Sequence, residues 1–159
     1  MKDRAKTVST LQIAGLGAIA GMRTMSAPAL VAAYLQRQQV AGSFWLGSRG
    51  AVVATRLLAA GELVADKLPG IPARTNALPL LGRALSGALV GATLSAVEKR
   101  PRLPGAALGA TAAVAAAFAA YHARRALTHD LDLADPLVAV AEDTLALGMG
   151  RLLLAERPG

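Results

Sequence analysis

Apolar residues occupy this chain in five long stretches, separated by short polar or proline-containing connections. The most uniform runs from Leu103 to Tyr121, nineteen residues without a charge, between Arg102 and His122. At about 1.5 Å of rise per residue it covers roughly 30 Å, the thickness of a bilayer's hydrocarbon core. The others fall at about 8–35, 50–66, 78–97 and 136–154, each carrying at least one charge. The pattern predicts an all-α fold: one integral membrane domain over 1–159, a bundle of about five transmembrane helices. The connections have turn chemistry. Lys67–Ala73 and Arg100–Gly105 each hold two prolines and a glycine, and Asp135-Pro136 reads as a helix start. Phe44 and Trp45, between Gln36 and Arg49, would mark an interface.

The first stretch is long and interrupted, with Arg23, Thr24, Ser26 and Pro28 near its middle. Irregular polar backbone at membrane depth is tolerated only inside protein or beside a wet cavity. A first helix broken between Arg23 and Pro28 is therefore expected, with Thr24 or Ser26 capping the second half.

Composition narrows the setting. Hydrophobic residues make up 54% of the 159, aromatics 3% and charged residues 17%. A water-soluble domain carries nearer a quarter charged. The many small residues suit helices that pack closely in lipid. The absence of cysteine removes disulfides, thiolate metal sites and cysteine nucleophiles. A net charge of +7 could serve nucleic acid, but the basic residues lie between apolar stretches without interleaved aromatics. The lipid bilayer is the expected partner, and nucleic acid is not. No cofactor or metal is expected: His122 and His129 share a face, with no cluster of carboxylates beside them. Lys2, Arg4 and Lys6 before an apolar run resemble a signal peptide. No small-residue cleavage site follows cleanly, so the segment is read as retained.

Three Gly-x-x-x-Gly pairs, Gly17/Gly21, Gly87/Gly91 and Gly105/Gly109, allow close helix approach. They predict packing within one bundle, with a homo-oligomer through one such face as the alternative. Five spans would put Lys2, Arg4, Lys6, Lys67, Arg74, Arg83, Arg124 and Arg125 on one side, against seven cations on the other. That near tie fixes orientation poorly and leaves a dual-topology dimer open, although the basic first flank favours a cytoplasmic N-terminus.

A charge at mid-depth costs at least ~2.5 kcal/mol on insertion scales and needs a partner or a function. Arg23, Glu62 and the pair Glu142-Asp143 qualify, and Asp66 lies one turn beyond Glu62 on the face shared with Thr55. Arg23-Thr24 and Arg74-Thr75 share the spacing Arg-Thr-x-x-x-Pro. Each would combine a guanidinium with the free N–H groups of a proline-started helix, a recipe for holding an anion. Leu57–Glu62 also resembles Leu137–Glu142, so a weak internal repeat is expected. Arg23, Thr24, Arg74 and Thr75 are thus candidates for an anionic substrate. Glu62, Asp66, Glu142 and Asp143 are candidates for protons or a coupling cation. The plainer alternative pairs Arg23 with Glu62 or Glu142 structurally and leaves Lys67 and Arg74 as interface residues. No Gly-x-Ser-x-Gly, His-Glu-x-x-His or Gly-x-x-x-x-Gly-Lys motif is present, and an enzyme is not expected.

Gly21-Met22-Arg23, followed by Glu62-Leu-Val-Ala-Asp66-Lys67-Leu-Pro69, resembles a family of small bacterial inner-membrane proteins classed as a domain of unknown function. The likeness is clearest from Leu11 to Ala92. Longer members continue with an Asp soon after the proline, where this chain has Ile71-Pro72-Ala73-Arg74. The resemblance implies a multi-pass inner-membrane protein and draws attention to Arg23, Glu62, Asp66 and Lys67. It implies no activity.

Three functions remain open on these residues: a small transporter or channel with a mid-membrane polar site, a membrane scaffold whose charges are structural pairs, and an intramembrane lipid-modifying enzyme using Glu62 and Asp66. Transport predicts that Arg23, Glu62 and Glu142 converge on a polar cavity. A scaffold predicts tight pairs without one.

Overall fold

The computed structural model describes residues 8–38, 45–65, 77–129 and 134–155. Among them the chain is all helical: α1 Thr10–Met22, α2 Ser26–Arg37, α3 Arg49–Ala65, α4 Ala77–Val97, α5 Arg102–His129 and α6 Asp135–Leu154, with a single 3-10 turn at Trp45–Gly47.

Local chemistry sets several of these ends. Ser9 and Gln12 form a capping box at α1: the Gln12 amide donates to Ser9 Oγ at 3.2 Å, and the Ser9 amide to Gln12 Oε1 at 2.7 Å. Helix α4 stops at Lys99, whose φ of 55° lies in the left-handed region. The Lys99 amide donates to the Ala96 carbonyl at 3.0 Å and the Arg100 amide to that of Ser95 at 2.8 Å, the paired bonds of a Schellman end. Pro136 occupies the first turn of α6, where its missing N–H leaves no gap. Helix α5 continues to His129, beyond the expected end at Tyr121, and so takes Arg124 and Arg125 into the helix.

Helices α1, α4 and α5 meet backbone to backbone. Gly17 faces Gly109, Gly21 faces Ala113, Gly87 faces Gly109 and Gly91 faces Gly105. A Cβ on any of these glycines would run into the facing main chain. All three Gly-x-x-x-Gly pairs are therefore used inside the chain. The pairings make α1 parallel to α5 and α4 antiparallel to both. Helix α1, apolar all round, buries Ile13, Leu16, Ile19 and Ala20 at the centre of the bundle. Val31 and Leu35 of α2, Leu46, and Val90 and Leu94 of α4 complete the core.

The first segment departs from the expected span over 8–35. Helix α6 measures the departure. Arg23 meets Asp143, a methyl on Gly150 would touch both Ile19 of α1 and Leu30 of α2, and Gln12 Nε2 donates to the Leu153 carbonyl at 2.6 Å. A straight helix would set Leu30 about 16 Å beyond Ile19. Instead the chain turns at Arg23–Met25, and α2 runs back along α6 toward the end where α1 began. The halves have 13 and 12 residues, about 20 and 18 Å, so neither covers a bilayer alone.

Helices α4 and α5 are long and apolar enough to cross a membrane, with mean hydropathies of 1.5 and 1.6 over their most apolar windows. Only 22% of the α5 window is buried inside the protein. Leu57, Leu78, Leu103, Leu137 and Leu152 are each at least 67% exposed. Trp45, at the head of α3, is exposed as well.

Candidate functional site

The break between α1 and α2 gathers polar groups from four helices. Arg23 is extended, and its amide donates to the Ile19 carbonyl at 2.8 Å, closing α1. Met25 takes the N-cap position of α2 without a side-chain cap of its own. The free N–H groups go to Glu62, reaching over from the last turn of α3. Thr24 N–H donates to Glu62 Oε1 at 2.7 Å, and Met25 N–H to Glu62 Oε2 at 2.8 Å. Both are charge-assisted, and the carboxylate sits at the positive end of the α2 dipole. The expectation that Thr24 or Ser26 would cap α2 is therefore corrected. The donors at the turn face α3, and a neighbouring helix supplies the acceptor.

The Arg23 guanidinium, with the residue 4% exposed, pairs with Asp143 of α6. Glu142 does not join it. One step along a helix turns the side chain by about 100°, and Glu142 faces α5 instead, 3.6 Å from Arg124. From α4, Ser86 Oγ donates to the Thr24 carbonyl. One turn before Ser86 stands Arg83, also 4% exposed. Gly87 lies opposite Gly109 and Gly21 opposite Ala113, so Arg83, a turn before Gly87, is level with the break. Arg83 was expected among surface cations. Its burial corrects that placement. The signal was present in the apolar stretch: Arg83, Ser86 and Thr93 fall on one helix face, and all three are buried.

Other candidates lie elsewhere. Thr55 is buried, but its Oγ1 donates to the Ala51 carbonyl of its own helix at 2.8 Å, so it adds nothing to a stripe leading to Glu62. Asp66, Lys67, Arg74 and Thr75 lie outside the described residues, so the second Arg-Thr-x-x-x-Pro element and the Glu62/Asp66 pair have no geometry here. Among the described residues no group of three His, Asp or Glu side chains could hold a metal ion.

A cavity of about 680 Å³ lies between α2, α3 and α6 and follows α2 from Ser26 to Gln38. Arg23, Glu62 and Asp143 are not in its wall. The break therefore shows the tight pairing expected of a scaffold; of the convergence expected of transport it brings Glu62 to the turn at Arg23, but neither Glu142 nor a polar cavity. An anion's place at a helix N-terminus beside an arginine exists, and the chain's own carboxylates fill it.

No curated protein and no solved structure matches the chain. A family profile does, across residues 10–155. On that match the chain belongs to the family described as Domain of unknown function (DUF4126).

Proposed function

We propose that this chain is a multi-pass protein of the bacterial inner membrane that carries a small anion, with the α1–α2 break as its binding site. One observation carries the reading: Glu62 holds the Thr24 and Met25 N–H groups and Asp143 holds Arg23, as an anionic substrate would. A carboxylate that takes a proton loses its hold on such donors. Protonation of Glu62 and Asp143 would open two N–H groups and a guanidinium to the substrate, so anion and proton would move together.

The fold-back also supports an orientation. It brings the start of α1 to the end that carries Arg37, Arg49, Lys99, Arg100, Arg102 and Arg151, where Arg100 donates to the Val8 carbonyl. The opposite end of the described helices carries Arg124 and Arg125. At the ends of the described helices six cations thus stand against two, which favours a cytoplasmic location for the basic end on the positive-inside rule.

Vesicles reconstituted with the chain and loaded with a pH-reporting dye test the reading. An inward gradient of chloride, inorganic phosphate or succinate should acidify the interior for at least one anion, and Glu62→Gln should abolish that flux. Rates equal to empty vesicles with all three anions would sink it. A second reading has its own support: each described charge at the break has a protein partner, and the cavity leaves them out. The break is then a structural lock in a membrane scaffold, and Glu62→Gln would lower stability without changing any flux.

A further inference from the structure

We propose that the cavity between α2, α3 and α6 is a binding groove for one phospholipid with an anionic headgroup. The inference rests on the membrane location proposed above and is independent of the anion site at the break. Three helices each turn an arginine into the groove: Arg37 from α2, Arg56 from α3 and Arg151 from α6. All three are exposed, and none has a hydrogen bond or ion pair among the described residues. Among the described residues no Asp or Glu lines the groove. The described lining thus carries three guanidinium groups and no carboxylate, and phosphate is the anion whose oxygens such forks bind best.

The rest of the groove identifies the source of that phosphate. Its wall is largely apolar, with Ala33, Leu147 and Leu154 among the lining side chains. It follows α2 for about 18 Å, slightly more than half of the roughly 30 Å hydrocarbon core, which is the depth of one leaflet's acyl chains. Beside Arg56, Leu57 and Leu58 face outward and are 67% and 55% exposed. A free phosphate has no use for such walls, whereas a lipid tail does. Arg37 and Arg151 stand at the basic end of the bundle, where a leaflet rich in anionic lipid would lie.

The full chain, purified in an uncharged detergent, tests this by thermal unfolding with added lipid. Dioleoylphosphatidylglycerol should raise Tm, whereas dioleoylphosphatidylcholine and inorganic phosphate should not. The double variant Arg56→Gln/Arg151→Gln should need at least about tenfold more phosphatidylglycerol for the same shift. Arg102→Gln, an exposed cation at the same end but outside the groove, should leave it unchanged. Ala33→Trp, which fills the wall while keeping all three arginines, should weaken the response too, and it decides the matter if the double variant does not fold. Equal shifts with phosphatidylcholine or phosphate, or an equal loss in Arg102→Gln, would overturn the groove. Alkaline extraction from membranes separates the two readings: a chain that stays in the bilayer without lipid selectivity refutes only the groove, and one that washes out refutes the membrane location as well.

Discussion

The two sides of α1 are built on opposite principles. On one side Gly17 and Gly21 press against Gly109 and Ala113 of α5, which in turn packs Gly105 and Gly109 against Gly91 and Gly87 of α4, and contact is made by main chain. On the other side α3 and α6 are held to the α1–α2 break by polar groups, α6 also to Gln12 near the start of α1, and α2, α3 and α6 leave a cavity between them. Small residues give rigidity because no side chain can rearrange at such an interface. Charges at a helix break give a contact held by hydrogen bonds and ion pairs, in which one acceptor can be exchanged for another. The glycine side is thus the frame, and the polar side is where motion and ligand binding are to be sought.

Substitutions on the two sides should therefore differ in size and in kind. The largest effect is expected at Asp143. Asp143→Ala takes this carboxylate away from the buried Arg23 guanidinium and should destabilise the protein by about 3–5 kcal/mol in a reversible unfolding assay. The double variant Arg23→Met/Asp143→Leu should recover most of that loss. Failure to recover would mean that the break depends on the charges themselves. Next comes the frame. Gly109→Ala drives a Cβ into the Gly87 backbone and should cost about 1–3 kcal/mol. Gly148→Ala meets open space and should be neutral or stabilise by up to about 1 kcal/mol. Equal effects at the two glycines would dissolve the contrast between frame and surface. The smallest change is expected at Glu142. Its contact with Arg124, at 3.6 Å, is looser, and Gln keeps a carbonyl oxygen that can accept from the guanidinium, so Glu142→Gln should shift stability by about 1 kcal/mol.

Much of this was legible in the chain. The apolar stretches anticipated the helices from α3 to α6, apart from the continuation of α5 to His129, because long apolar runs with proline and glycine gathered at their ends read as helices. The break at Arg23 was legible for the same reason in reverse: an arginine, hydroxyls and a proline interrupt the run. The direction taken after the break was not. Local residues show where a helix stops, but the axis of the next one is set by distant contacts such as Leu30 on Gly150 and Glu62 on the Met25 amide. The site was half legible. Arg23 and Glu62 stood out as charges within apolar stretches, and so did the pair Glu142-Asp143. Which of that pair would face Arg23 depended on the rotation of α6, which spacing alone does not determine. Arg83 was overlooked because it lies near the start of its stretch, where an arginine reads as an interface residue.

The central claim is that the chain turns back at Arg23–Met25 and does not continue as one interrupted span. The protein has no cysteine, so single-cysteine variants report position without background. Thr10→Cys, Ser48→Cys, Pro101→Cys and Ala134→Cys, each in sealed vesicles of uniform orientation, would be labelled by a membrane-impermeant maleimide from either side. Residues 10, 48 and 101 should label from one side and residue 134 from the other. Labelling of residue 10 from the side opposite residue 48 would mean that the first segment crosses the bilayer, and would contradict the account.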